Sequence, residues 1–253
     1  MRRAKCFRSG LAVAALALLM PHDAAWATHP FLTEDPGTQG KGRSELELGF
    51  AAATGDPSSN GRGTLFAPQV SFGVADNVDL IVQGFGQTQT TANAGTVRGF
   101  NNTVLDVKWQ IADNGSLVWG VRGGLEFPTG DEAKGLGGGQ VSAHILGIAG
   151  WTIDAVQVLL NAGYARLRQP GVRPNFGFFS VAVTGTDVGA VRTFIEAATF
   201  SNTDPALSQW PAVARTGVIY SVNSLLDLDV GIQTRLNHSA TRALWLAGAT
   251  LRW

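Results

Sequence analysis

The sequence predicts an all-β fold: a transmembrane antiparallel up-and-down β-barrel of about 12 strands, preceded by a signal peptide. Three observations carry the prediction: an amphipathic strand reaching the last residue, period-two hydrophobicity along the chain, and connections that alternate between long and short. Residues 243–253 put Trp245, Ala247, Ala249, Leu251 and Trp253 on one face and Gly248, Thr250 and Arg252 on the other. In water such a terminus would fray with its ring exposed. In a membrane barrel the last strand closes the sheet and its aromatic joins the interfacial girdle.

The opposite end fits the same picture. Arg2, Arg3, Lys5 and Arg8 precede an apolar run, Leu11 to Met20, and Ala25-Trp26-Ala27 has the small-x-small form of a cleavage site. Residues 1–27 are therefore expected to be a signal peptide, the mature chain starting at Thr28. The apolar run is too short for a spanning helix, which needs roughly 20 residues. The one cysteine, Cys6, would leave with the signal, and the mature chain would hold neither disulfide nor Cys-based metal site. Of the 19 Lys+Arg and 19 Asp+Glu, four and one fall in residues 1–27; 15 against 18 remain, a mature charge of −3. No basic patch argues for nucleic acid. The richest apolar region of the mature chain, Val141 to Ala165, is broken by His144, Asp154 and Asn161, which excludes a helical membrane protein.

Twelve period-two segments follow one another: Glu45–Ala53, Thr64–Val74, Val78–Gln87, Thr103–Ile111, Leu117–Phe127, Val141–Trp151, Ala155–Tyr164, Phe176–Val183, Val188–Thr199, Val213–Ser221, Leu226–Leu236 and Ala243–Trp253. Their lengths suit strands of about 9–11 residues tilted across a bilayer. Connections after odd strands are long and polar, as in residues 54–63, 88–102, 128–140 and 201–211. Those after even strands are tight, as in residues 75–77, 112–116, 153–154, 184–187 and 222–225. Long loops outside and short turns inside are the outer-membrane pattern. A soluble sandwich has no reason to alternate so regularly. Residues 44–253 are thus expected to form the barrel, and residues 28–43, irregular and too polar for lipid, a separate N-terminal segment.

Extending the alternation puts Trp109, Trp119, Trp151, Tyr220 and Trp253 outward at the periplasmic ends, and Phe66, Phe127, Tyr164 and Trp245 outward at the other ends. The inward phase supplies the candidate lumen lining: Asp106, Lys108, Arg122, Glu126, His144, Arg192, Phe194, Glu196, Asp227, Asp229, Arg235 and Arg252, with Glu45, Glu47, Gln69, Gln83, Asn161 and Gln233 among the other polar positions. Folding about the 112–116 turn brings Asp106 opposite Arg122 as a lumen ion pair, while Asp227, Asp229 and Arg252 are expected at similar depth near the periplasmic mouth of neighbouring strands. Such residues can select a solute or simply hold the barrel's shape.

Catalytic chemistry finds little support. Ser142 and His144 share a face of strand six, but point to the lumen, in the order Ser-x-His, with no orienting carboxylate or oxyanion donor assignable from the sequence. His29, His144 and His238 are too scattered for a metal site, and Gly135-Leu-Gly-Gly-Gly139 lacks the Lys-Ser/Thr of a P-loop. No catalytic, cofactor-binding or metal-binding residue is expected.

The last strand also resembles the C-terminal signal read by bacterial barrel-assembly machinery, which would make that machinery and outer-membrane lipid the partners of Trp253 and its strand. The mature opening, His29-Pro-Phe-Leu-Thr-Glu-Asp-Pro-Gly-Thr-Gln-Gly-Lys-Gly42, running into Glu45-Leu-Glu-Leu48, resembles that of the bacterial MetA-pathway of phenol degradation family, often labelled simply transporter. Glu126-Phe-Pro-Thr-Gly130 is a further echo, while Phe31 and Pro36 depart from the usual form. The resemblance implies an outer-membrane barrel of a Gram-negative bacterium that passes small hydrophobic or aromatic solutes, without cofactor. The expected function is passive transport, with residues 28–42 as a hatch in the lumen. A closed structural or surface-interaction barrel and, third, a lipid hydrolase are the alternatives.

Overall fold

The computed structural model describes residues 29–54, 61–91, 95–185 and 187–253; the expected signal peptide lies outside the described residues. The chain forms β1 (Ser44–Thr54), β2 (Arg62–Ala75), β3 (Val78–Gln83), β4 (Gly86–Thr91), β5 (Gly95–Phe100), β6 (Thr103–Asp113), β7 (Leu117–Phe127), β8 (Ser142–Ile153), β9 (Val156–Arg166), β10 (Asn175–Gly185), β11 (Val191–Phe200), β12 (Ala212–Ser221), β13 (Leu226–Arg235) and β14 (Ala243–Arg252). Each neighbour pair is antiparallel, and β1 pairs with both β2 and β14, so the sheet closes on itself. The fourteen strands make a 12-strand barrel, because β4 continues β3 along one wall position and β5 precedes β6 along the next. Closure removes the free edges at which an open sheet would aggregate.

The polar stretch 88–102, expected as an outer loop, is a correction. Most of it forms the β4–β5 hairpin, with Thr88 opposite Arg98 and Gln87 opposite Gly99. Alternation could not reveal it. β4 is polar on both faces, and ladder hydrogen bonds to β2 and β5 hold it without an apolar face. Strand nine is a smaller correction: it starts at Val191, and Val188 makes only an isolated bridge back to it.

The two faces separate cleanly. Outward side chains of β14, Trp245, Leu251 and the following Trp253, are exposed, while inward Leu244, Leu246 and Thr250 are buried. Trp109, Trp119, Trp151 and Tyr220 stand exposed at the short-turn ends, as do Phe66 and Tyr164 at the long-loop ends. A contiguous apolar surface of this extent is not stable in water; it is the face of a sheet that spans a bilayer.

The register on β6 and β7 departs from the simple fold-back. Lys108, not Asp106, faces Arg122, and Asp106 faces Gly124. The cause is a tighter turn, since β6 runs on to Asp113, and a bulge then shifts the pairing back by one residue between Gln110 and Ala112. The extra residue keeps the inward phase of β6 matched to that of β7, since a one-residue slip would turn one strand's charges to lipid. Gly120 makes room for the bulge, because a Cβ there would stand 2.5 Å from the Trp109 carbonyl oxygen and 3.2 Å from Gln110 Cα. Gly120→Val is therefore expected to destabilise the barrel by about 1–3 kcal/mol, read as a lower urea midpoint for the folded band on unheated gels.

Candidate functional site: a plugged lumen

Residues 29–43 run inside the barrel and are tied to nearly every wall. His29 Nδ1 lies 2.8 Å from Asp229 Oδ1 on β13. Arg215 of β12 donates from Nη1 to the Pro30 carbonyl at 3.1 Å. The Phe31 ring packs on Phe194 of β11, centroids 4.3 Å apart. The amides of Leu32 and Thr33 donate to Glu196 at 2.9 and 2.5 Å, and the Thr33 hydroxyl reaches Ser180 of β10 at 2.8 Å. Asn161 of β9 grips the backbone of Glu34 on both sides, accepting from its N–H at 2.7 Å and donating to its carbonyl at 2.9 Å. Further on, the Gln39 amide donates to Asp79 of β3 at 3.1 Å, and Gly42 N–H to the Gly73 carbonyl of β2 at 2.8 Å.

The anchor is Glu34. Its carboxylate accepts from Lys108 Nζ at 2.7 Å and from Arg122 Nη1 at 2.6 Å. Arg122 also donates from Nε to Asp106 at 2.6 Å and from Nη2 to Gln69 at 3.1 Å, and its side chain is 0% exposed. His144 Nε2 lies 2.8 Å from the other Asp106 oxygen. Two carboxylates and two cations thus balance in one buried cluster. Burial alone would push the Glu34 carboxyl up, but the adjacent Lys108 and Arg122 outweigh it and hold the group below its ordinary value.

Glycines supply the space the segment occupies. Gly49 of β1 and Gly248 of β14 are paired across the closing seam, and a Cβ on either would overlap the His29 ring, 2.6 Å from Cδ2 in the case of Gly49.

The remaining candidate residues distribute along the lumen. Arg252 bridges Glu45 at 2.8 Å and Asp227 at 2.7 Å. Arg192 pairs with the loop residue Asp187 at 2.7 Å, Glu126 accepts from Asn102 at 2.5 Å, and Arg235 stands half-buried opposite Val213. Asp227 and Asp229 do not form one cluster with Arg252, because Asp229 turns to His29. The Ser142 hydroxyl accepts from the Arg168 amide at 3.0 Å. His144 does have a carboxylate partner, which the sequence left unassigned, but that partner, Asp106, also holds Arg122. Among the described residues no group of three or more His, Cys, Asp or Glu side chains could hold a metal ion. Sequence reasoning missed Arg215, although it shares a strand face with Val213 and Gly217. It also missed Glu34, whose partners come from strands more than 70 residues away, a juxtaposition without local signal.

Two cavities flank the segment. One, about 120 Å³, opens toward the long-loop end between Leu65, Leu244, Leu246, Phe176, Phe200 and Val213, with Glu47, Gln69, Gln83, Gln233 and Arg215 among its polar lining. The other, about 280 Å³, lies toward the short-turn end and is lined by Asp35, Gln157, Thr184, Arg192, Asp227, Asp229 and Arg252. His29 and Phe31 line both. These two side chains are the partition.

No family model matches the chain, and no curated protein matches it. Among solved structures, an outer membrane channel from Pseudomonas putida F1 superposes with a TM-score of 0.66 at 10% identity, over 87% of this chain and 98% of that one. The NanC porin gives 0.58 at 9% identity, over 82% and 98%. The CymD monoaromatic hydrocarbon channel gives 0.50 at 7% identity, over 85% and 89%. At these identities the likeness is one of fold.

Two outcomes follow from this geometry. Glu34→Gln leaves two buried cations short of a partner and is expected to cost about 3–5 kcal/mol at neutral pH. Because the wild-type group titrates below its unfolded value of about 4.3, that stabilisation is complete above this value and fades as pH falls through the lower folded one. The difference between wild type and variant in denaturant midpoint should shrink below about pH 4, and a constant gap would exclude the assignment. Gly49→Val should evict His29 while leaving the β1–β14 ladder intact, read as raised single-channel conductance from a normally folded barrel.

Proposed function

We propose that the protein is an outer-membrane channel for passive uptake of small, largely apolar solutes, with the N-terminal segment as a hatch and no covalent chemistry. The observation that carries this reading is the pair of cavities on opposite sides of one thin partition. A solute entering from the long-loop side would lodge among Leu65, Leu244, Leu246 and Phe176, lose its hydration there, and pass when His29 and Phe31 swing aside. The girdled barrel, the charged first residues and the C-terminal strand support delivery by a signal peptide, insertion by barrel-assembly machinery, and a Gram-negative outer membrane. The opening His29–Gly42 supports kinship with the phenol-degradation transporter family, and with it aromatic solutes.

Hatch opening need not unfold the barrel. The partition residues His29 and Phe31 make one close polar contact, to Asp229, and one ring contact, whereas Glu34 and the Thr33–Glu196 contacts hold the following stretch. A fully closed structural barrel is the second reading, favoured by the buried Glu34–Arg122–Asp106–Lys108 cluster that fills one side of the lumen. Liposome swelling and planar-bilayer recording decide between them. Wild-type barrels should pass single-ring solutes faster than sugars of similar mass, and deleting residues 28–42 should raise conductance several-fold. Unchanged conductance after the deletion would end the hatch reading. Impermeability of both forms would end the channel reading.

A further inference from the structure

The outer cavity is apolar on most sides, but one wall carries a lateral row of polar side chains. Glu47, Gln69 and Gln83 stand side by side on β1, β2 and β3, since Glu47 pairs with Gln69 and Gln69 with Gln83. Gln69 is engaged at both ends: its amide nitrogen donates to Glu47 Oε2, and its oxygen accepts from Arg122. Its two neighbours are not. Glu47 Oε1 and Gln83 Oε1 are buried acceptors with no hydrogen-bond partner in the protein, on residues only 2% and 3% exposed, and both residues line the cavity.

A buried acceptor left unmade forfeits a substantial hydrogen bond, so native structures keep such atoms for a water or a ligand. Here two of them flank Gln69 at the edge of a space of about 120 Å³. Cavities of this order hold a single aromatic ring. We propose that this cavity is a binding site for small amphiphiles with an apolar, ring-sized body and a hydrogen-bond-donor head, a hydroxyl or a protonated amine, which donates to Glu47 or to Gln83. The proposal rests on the channel reading and adds to it the chemical class of solute. It also sets a preference against anions. A carboxylate head would bring a second acceptor to atoms that lack a donor, and a bare hydrocarbon would leave them unmade.

The test is calorimetric titration of the full mature barrel in nanodiscs with benzyl alcohol, benzylamine, toluene and benzoate, with empty nanodiscs as blanks. The first two are expected to bind at least about tenfold tighter than toluene, a difference of about 1.4 kcal/mol, and benzoate weakest. Benzylamine above benzyl alcohol would identify the head as cationic, and the reverse order as neutral. Gln83→Leu and Glu47→Gln, each checked for folding by gel mobility before and after heating, should shrink that ratio, Gln83→Leu by removing its acceptor outright. Equal affinities for benzyl alcohol and toluene, or a ratio unmoved by both variants, would overturn the donor-head assignment while leaving uptake of apolar solutes intact. Binding of none of the four, together with impermeable liposomes, would overturn the channel reading as well.

Discussion

The lumen of this barrel is organised by one carboxylate. Glu34 sits between Lys108 and Arg122, and without it two cations on adjacent strands would face each other across a buried pair of positions. Their mutual repulsion is what an uncompensated wall would have to bear, and in a dry interior that is a large term. The counter-charge that Lys108 and Arg122 share comes from a segment that precedes the first strand. Asp106 neutralises Arg122 from the wall side, and its second oxygen is held by His144. The barrel is therefore electrostatically incomplete without its N-terminal segment, and the segment has no fold without the barrel.

This dependence explains why the anchor and the partition are different residues. Glu34 and Thr33 are held by several buried, partly charge-assisted bonds, which are the strong ones. His29 and Phe31, a few residues upstream, are held by one pair contact and one ring face. The lumen thus has a fixed side and a yielding side. The yielding side is where glycines of β1 and β14 recede, and the His29 ring of the segment fills the space in front of both. A wall built small to receive a side chain becomes an opening once that side chain leaves.

Much of the fold was legible because a membrane barrel writes itself in period two. Trp245 and Trp253 on one face of β14 fix its phase, and antiparallel pairing transmits that phase around the sheet. Legibility ended where the alternation lost its physical cause. The β4–β5 hairpin buries Gln87 rather than an apolar side chain, so Gln87, Thr88 and Gln89 give no hydrophobic alternation to read. The bulge after Gln110 left no mark either, since what fixes it is Gly120 on the partner strand. For the lumen, facing direction was readable but partnership was not. Glu34 lies 88 residues from Arg122, and only the folded barrel brings them together. Arg215 was within reach: Val213, Arg215 and Gly217 share one face, and Arg215 pairs with Gln233, an inward position of the neighbouring strand.

The closing seam joins these threads. Ser44 and Trp253 exchange both backbone hydrogen bonds, at 2.9 and 3.0 Å, and the next inward pair, Glu45 and Arg252, is an ion pair at 2.8 Å. Glu45 also accepts from Gln39 of the segment at 2.9 Å, and the His29 socket, Gly49 with Gly248, lies on the same two strands. The seat for both ends of the segment therefore exists only after β14 has paired with β1. Before closure, Arg252 has Asp227 alone and His29 has half a socket. The complete seat of the segment is thus a property of the closed barrel: Glu45 and Gly49 come from its first strand, Arg252 and Gly248 from its last.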